Sequence, residues 1–138
     1  MSTAREQRFE LRALWRVRVG DYATALGYSA DGTDLVVGDA SGGVRVLDAR
    51  SGQARWMAPA HEGGVLAVAW NPRAGLLASA GQDGRARIFA YDGGALAELP
   101  GTSAWVEAVA WSPDGSRLAT ASGKTVRLWT EGGAPVVE

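Results

Sequence analysis

The 138-residue sequence contains no cysteine and only one histidine, His61. Without cysteine the chain cannot form a disulfide, a thiol nucleophile or a cysteine-ligated metal site. A single histidine also excludes the zinc centres of hydrolases, which use two or three histidine ligands. The sequence therefore predicts no metal and no cofactor, and it offers few side chains for acid–base catalysis.

Neither sign of charge dominates, and long apolar runs are missing. The chain has 14 basic and 15 acidic residues and a formal net charge of −1. Proteins that bind nucleic acid or an anionic membrane usually carry a basic patch, so we expect neither partner. No apolar run approaches the roughly 18 residues that span a bilayer, and the charged residues 1–10 lack the apolar centre of a secretory signal. We expect a soluble, cytoplasmic protein.

Glycine, in contrast, is abundant, with 19 residues scattered between short apolar runs. Glycines at that density are typical of many tight turns between short strands. The chain is also long enough for one domain with its own core. The composition therefore predicts an all-β fold.

Three segments of the sequence repeat with a period of about 41 residues. Each contains an aromatic residue that ends an apolar run, then a leucine seven residues later, then an arginine between two apolar residues. The aromatic residues are Tyr28, Trp70 and Trp111, the leucines are Leu35, Leu77 and Leu118, and the arginines are Arg45, Arg87 and Arg127. Short alternating runs separated by turn residues at this period predict one four-stranded antiparallel blade of a β-propeller per repeat.

The repeats resemble WD repeats, and the second and third carry the resemblance. The second contributes His61, Val65, Val68, Trp70, Leu77-Ala78-Ser79, Asp83 and Arg87-Ile88-Phe89, and the third contributes VAWSPDGSRLATAS and TVRLW. A weaker similarity to TolB-like propellers rests on the SPDG segment. The resemblance implies a partial β-propeller of about three four-stranded antiparallel blades over residues 20–138. The implied blades are at about 20–60, 61–101 and 102–138.

The resemblance also assigns a structural role to three polar residues. In WD repeats a histidine, a serine or threonine, an aspartate and a tryptophan form a hydrogen-bonded network inside the blade. The second repeat matches with His61, Ser79 and Asp83, although Phe89 replaces the tryptophan. The same residue types make up a hydrolase triad. Their repeat positions favour the structural interpretation, so we expect no enzyme activity.

The string Ser122-Gly123-Lys124-Thr125 resembles the end of a phosphate-binding loop. Such a loop requires a glycine where this chain has Leu118, and it leads into a helix rather than an alternating strand. In register with the second repeat, the turn at Gly123-Lys124 is one residue shorter and lacks the aspartate. The sequence therefore predicts a shortened hairpin turn in the third blade.

Three blades are fewer than the four to eight that close a propeller ring. Residues 8–19 alternate apolar and polar side chains, which predicts an N-terminal strand within residues 1–19. We expect two copies to form a six-bladed ring, with each such strand completing the last blade of the other copy. That blade has only a thin fourth strand of its own at residues 134–137. The alternative is that the chain is a piece of a longer propeller protein.

The expected function is a non-catalytic protein–protein interaction scaffold whose protein partner the sequence does not identify. The loops before the first strands and the turns between the second and third strands should share one rim. Exposed side chains there make Tyr22, Glu62, Trp105 and Lys124 the candidate partner-binding residues. Trp105 is either an exposed anchor or a side chain folded onto the third blade. The alternative function is an enzyme or small-ligand binder that uses the central channel.

Overall fold

The computed structural model describes residues 9–130 and 135–137, and these residues form twelve β-strands and no helix. The strands are β1 (Ala23–Tyr28), β2 (Asp34–Asp39), β3 (Gly43–Asp48), β4 (Ala54–Pro59), β5 (Val65–Trp70), β6 (Leu76–Gly81), β7 (Arg85–Ala90), β8 (Ala95–Pro100), β9 (Val106–Trp111), β10 (Arg117–Ser122), β11 (Thr125–Thr130) and β12 (Pro135–Val137). No helix among the described residues is long and apolar enough to cross a membrane.

The strands form three antiparallel sheets of four, each in sequence order: β1–β4 is blade one, β5–β8 is blade two and β9–β12 is blade three. The prediction of three four-stranded antiparallel blades is confirmed. Short connections force consecutive strands to pair as hairpins, which produces this meander order.

Aspartate and glycine shape the turn between the first and second strands of a blade. In blade three, Asp114 accepts hydrogen bonds from Ser112 Oγ (2.7 Å), Ser116 Oγ (2.7 Å) and the Ser116 backbone N–H (3.0 Å). The bonds from Ser116 and Ser112 hold the pKa of Asp114 well below its usual range. Gly115 follows at φ 76°, a conformation that favours glycine. These local bonds define the turn.

The core lies between neighbouring blades. One cluster joins blades one and two and contains Val36, Val44, Val46, Ala60, Val65, Trp70, Leu77 and Phe89. A second joins blades two and three and contains Ala78, Ala80, Ala86, Ile88, Leu99, Val106, Leu118 and Trp129. Each blade therefore has one face towards the preceding blade and one towards the following blade. Blade two buries both.

The N-terminal segment differs from the prediction. In the described part of the predicted strand, residues 9–19, no residue pairs with a strand. The segment lies against blade one, where the Trp15 indole N–H donates to the Ala49 carbonyl (2.9 Å). A strand requires a neighbouring edge with free backbone groups, and the segment does not reach one. In blade three, β12 pairs with β11, so this blade has a short fourth strand within one copy.

Candidate partner-binding rim

A buried hydrogen-bond network joins the loop before β5 to the turn after β6. His61 Nδ1 lies 2.9 Å from Asp83 Oδ1, and His61 Nε2 lies 2.8 Å from Ser79 Oγ. The structure therefore brings together all three residues of the blade-two network. Ser79 is 0% exposed, so its hydroxyl cannot reach a substrate in solution. The network therefore joins the loop before β5 to strand β6 and to the β6–β7 turn.

The protonation of His61 follows from its two partners. An ionised carboxylate only accepts hydrogen bonds, so Nδ1 carries the proton that is donated to Asp83. Burial lowers the pKa of His61 below its usual value, although the hydrogen bond and charge of Asp83 oppose the shift. The neutral ring then has Nε2 free to accept the Ser79 hydroxyl proton. Because both nitrogens of the neutral imidazole already have hydrogen-bond partners, the ring stabilises the fold.

Asp83 extends the network to the surrounding backbone. Its carboxylate accepts the backbone N–H groups of Glu62 (3.2 Å) and Arg85 (3.2 Å) and lies 3.7 Å from the Arg87 guanidinium. Burial raises the pKa of Asp83, but the hydrogen bond from His61 and those from the two backbone N–H groups lower it below the usual range. The carboxylate thus holds the loop that carries Glu62 against the β6–β7 turn.

Blade three divides the corresponding bonds into two pairs. The Trp129 indole N–H donates to Thr120 Oγ1 (3.0 Å), and Thr102 Oγ1 lies 2.8 Å from Ser122 Oγ. The sequence alone did not predict that Ser122 takes part. The signal was a serine at the end of β10, because the matching residue of blade two is Gly81, where an added Cβ would lie 2.6 Å from Cγ of His61.

Blade one has an aspartate, Asp39, at the turn between β2 and β3. Asp39 accepts the Ser41 backbone N–H (2.9 Å), the Ser41 hydroxyl (2.6 Å) and the Gly43 N–H (3.1 Å). Burial raises the pKa of Asp39, yet these bonds lower it overall. The sequence Asp-Ala-Ser-Gly-Gly is typical of an aspartate that caps a turn.

The loops before the first strands and the turns after the second strands meet at one end of the blades. Ala40 N–H donates to the Tyr22 carbonyl (2.8 Å), and Gly64 N–H donates to the Gln82 side chain (2.8 Å). In blade three, the corresponding contact is the one between Thr102 and Ser122. We call this end the upper rim.

All four candidate partner-binding residues lie in these segments and are exposed: Tyr22, Glu62, Trp105 and Lys124. Trp105 is 50% exposed, whereas the next residue, Val106, is buried between blades two and three. The Trp105 side chain is therefore half-exposed, next to a backbone position whose side chain is buried. Among the residues that the structure describes, no group of three or more aspartate, glutamate or histidine side chains could hold a metal ion.

Comparisons with known proteins agree with this architecture. A family model described as "WD domain, G-beta repeat" matches residues 53–89 and 93–130. An uncharacterized WD repeat-containing protein of Schizosaccharomyces pombe (strain 972 / ATCC 24843) is 39% identical over 72 residues, which are 50% of this chain and 12% of that protein.

A solved structure is similar over most of the chain. A chain in the crystal structure of the mitotic checkpoint complex is 25% identical, with a TM-score of 0.79. The match covers 91% of this chain and 41% of that one. The present chain thus corresponds to less than half the length of either protein.

Proposed function

The chain belongs to the WD-repeat family, and from this premise we propose that it is a non-catalytic scaffold that binds a protein partner at the upper rim. The observation that carries the proposal is the half-exposed Trp105 beside buried Val106 on a rim held by internal hydrogen bonds. Large aromatic side chains held rigidly at a surface are typical anchors of protein interfaces. The alternative, chemistry in a central channel, has little support, since the triad-like group is buried and internally bonded.

We expect Trp105→Ala to reduce binding of a rim partner by about tenfold or more, because it removes an aromatic anchor. Affinity capture with the tagged chain, followed by quantitative mass spectrometry, measures which proteins are lost. Tyr91→Ala is the matched control, since Tyr91 is 54% exposed and lies in the β7–β8 turn at the opposite end of blade two.

Two outcomes separate the interpretations of Trp105. Loss of the same proteins from Trp105→Ala and Tyr91→Ala would contradict binding at the upper rim. If Trp105→Ala retains every partner and only lowers the melting temperature, the indole serves blade three alone.

The finer part of the proposal is that two copies complete one six-bladed ring. It is supported by exposed apolar side chains on the two end blades. Leu26 and Tyr28 of blade one are 64% and 66% exposed, and Val126 and Leu128 of blade three are 71% and 45% exposed. Apolar surface of this kind is usually covered by another protein surface.

Light scattering on the intact chain should give twice the 14.4 kDa of one copy at micromolar concentration. A folded species that stays at the mass of one copy contradicts self-association. It would instead favour the alternative that these blades belong to a longer propeller protein.

A further inference from the structure

The N-terminal segment lies against blade one as β4 lies against blade two. The Trp56 indole N–H, on β4, donates to the Tyr91 carbonyl in the β7–β8 turn of the next blade (3.0 Å). The Trp15 indole N–H donates to the Ala49 carbonyl, in the β3–β4 turn of blade one (2.9 Å). The two tryptophans are 41 residues apart, which is the period of the repeat.

A second contact of the same two tryptophans repeats with the same period. A Cβ at Gly93 would lie 2.8 Å from Cδ2 of Trp56, and a Cβ at Gly52 would lie 2.8 Å from Cδ2 of Trp15. Both glycines have positive φ, 96° and 79°. Residues 13–18 therefore hold the position, relative to blade one, of the fourth strand of a preceding blade.

The inner strand of blade one lacks the neighbour that the other blades have. Leu26 and Tyr28 occupy the repeat positions of Val109 and Trp111, which pack on the cluster between blades two and three. In blade one the same positions are 64% and 66% exposed. The missing neighbour is a preceding blade of this repeat, which would cover these positions with the face that it turns towards the following blade.

Blade three presents a face of that kind. Val126 and Leu128 correspond to Ala86 and Ile88, which are 1% and 0% exposed between blades two and three. The residues of blade three are 71% and 45% exposed, because no following blade among the described residues covers them.

We propose that residues 13–18 pair with β11 of a second copy as its fourth strand, while Leu26 and Tyr28 pack on that copy's Val126 and Leu128. The inference rests on the self-association proposed above and specifies its contacts. A second copy is the favoured occupant because the two exposed faces continue, in repeat register, the blade–blade interface that the structure already contains.

The observed pairings of β7 with β8 determine the register of the added strand. In blade two, Ala86 pairs with Leu99 and Arg87 pairs with Glu98. Val17 and Arg16 lie two 41-residue periods before Leu99 and Glu98. Val17 therefore comes opposite Val126 of the second copy, and Arg16 comes opposite Arg127.

The added strand competes with β12, which pairs with the same edge of β11 through Leu128 and Trp129. β12 has only three residues, against six in β4 and β8, and it begins with Pro135, which has no N–H to donate. The longer strand of the second copy therefore displaces β12.

One pair in this register is unfavourable and makes the register testable. Arg87 Nη1 lies 2.7 Å from Glu98 Oε2, whereas the added strand places Arg16 opposite Arg127. Like charges directly opposite one another weaken strand pairing. We expect Arg16→Glu to tighten the dimer by about threefold per strand pair. Arg16→Glu combined with Arg127→Glu should return the affinity to that of the unaltered chain.

Disulfide trapping tests the strand placement directly, because the chain has no cysteine of its own. We expect an equal mixture of Arg16→Cys and Arg127→Cys single variants, oxidised with oxidised glutathione, to form a covalent heterodimer on a non-reducing gel. Opposed residues on antiparallel strands have the Cα separation that a disulfide needs. The control replaces Arg127→Cys with Val126→Cys, whose side chain points to the other face of the strand.

The outcomes distinguish this inference from the proposal on which it rests. A dimer by light scattering whose cross-linking is absent, or equal to that of the control mixture, overturns the strand placement and leaves self-association intact. No dimer at any concentration overturns both. A dimer that cross-links selectively through positions 16 and 127 supports both.

Discussion

Replacing Gly42 with alanine should lower the free energy of unfolding by about 3 kcal/mol or more. Gly42 has φ 97°, and an added Cβ would overlap the His61 carbonyl oxygen and lie 2.5 Å from that of Gly63. Both atoms belong to the backbone of the loop before β5. The Gly42 carbonyl also accepts the N–H groups of Ala60 (2.9 Å) and His61 (3.0 Å), so the substitution pushes apart the contact between blades one and two.

Urea denaturation followed by tryptophan fluorescence measures this loss, since the chain contains six tryptophans. The matched control is Gly32→Ala, where φ is 75° and no atom lies within 4 Å of an added Cβ. That variant carries only the backbone strain, about 1 kcal/mol. Equal destabilisation by the two substitutions would show that the loop moves aside, and that the contact at Gly42 contributes nothing beyond its positive φ.

Replacing His61 with alanine should lower the free energy of unfolding by about 2 to 3 kcal/mol. The Ser79 hydroxyl, which is 0% exposed, loses its partner, and Asp83 loses the bond that joins its turn to the loop before β5. Thr102→Ala is the control at the matching position of blade three. It removes a single partly exposed hydroxyl and should cost about 1 kcal/mol.

The same variants separate the titration of His61 from other effects of pH. Burial lowers the pKa of His61 in the folded chain, so the unfolded chain binds more protons as the pH falls through about 6.5. The stability of the unaltered chain should therefore decrease with falling pH in this range, by at most about 1.4 kcal/mol per pH unit. His61→Ala should remove that dependence and Thr102→Ala should retain it. A His61→Ala chain with the original pH dependence would contradict this assignment.

Much of the architecture could be predicted because local patterns carry it. Apolar alternation specifies strands, and the aromatic residues at 28, 70 and 111 specify the period. The contact of Trp56 with Phe89, whose ring centroids are 5.6 Å apart, could not be predicted in this way. It depends on how two blades pack, and a pattern within one blade does not contain that distance.

The polar networks also include contacts that could be predicted from the sequence and contacts that depend on tertiary packing. The sequence identified His61, Ser79 and Asp83 through its resemblance to WD repeats, because these residues occupy the positions at which that family forms its network. Only the tertiary structure decided that Thr102 contacts Ser122, since this contact depends on how the loop before β9 packs against the end of β10.

The N-terminal segment shows most clearly what the sequence alone cannot predict. The alternation of residues 8–19 predicted a strand, whereas in the structure residues 9–19 pair with no strand and the contacts of Trp15 place the segment beside the β3–β4 turn of blade one. Whether it pairs as a strand is decided by tertiary and quaternary structure, because backbone hydrogen bonds require a neighbouring edge that one copy does not bring to it.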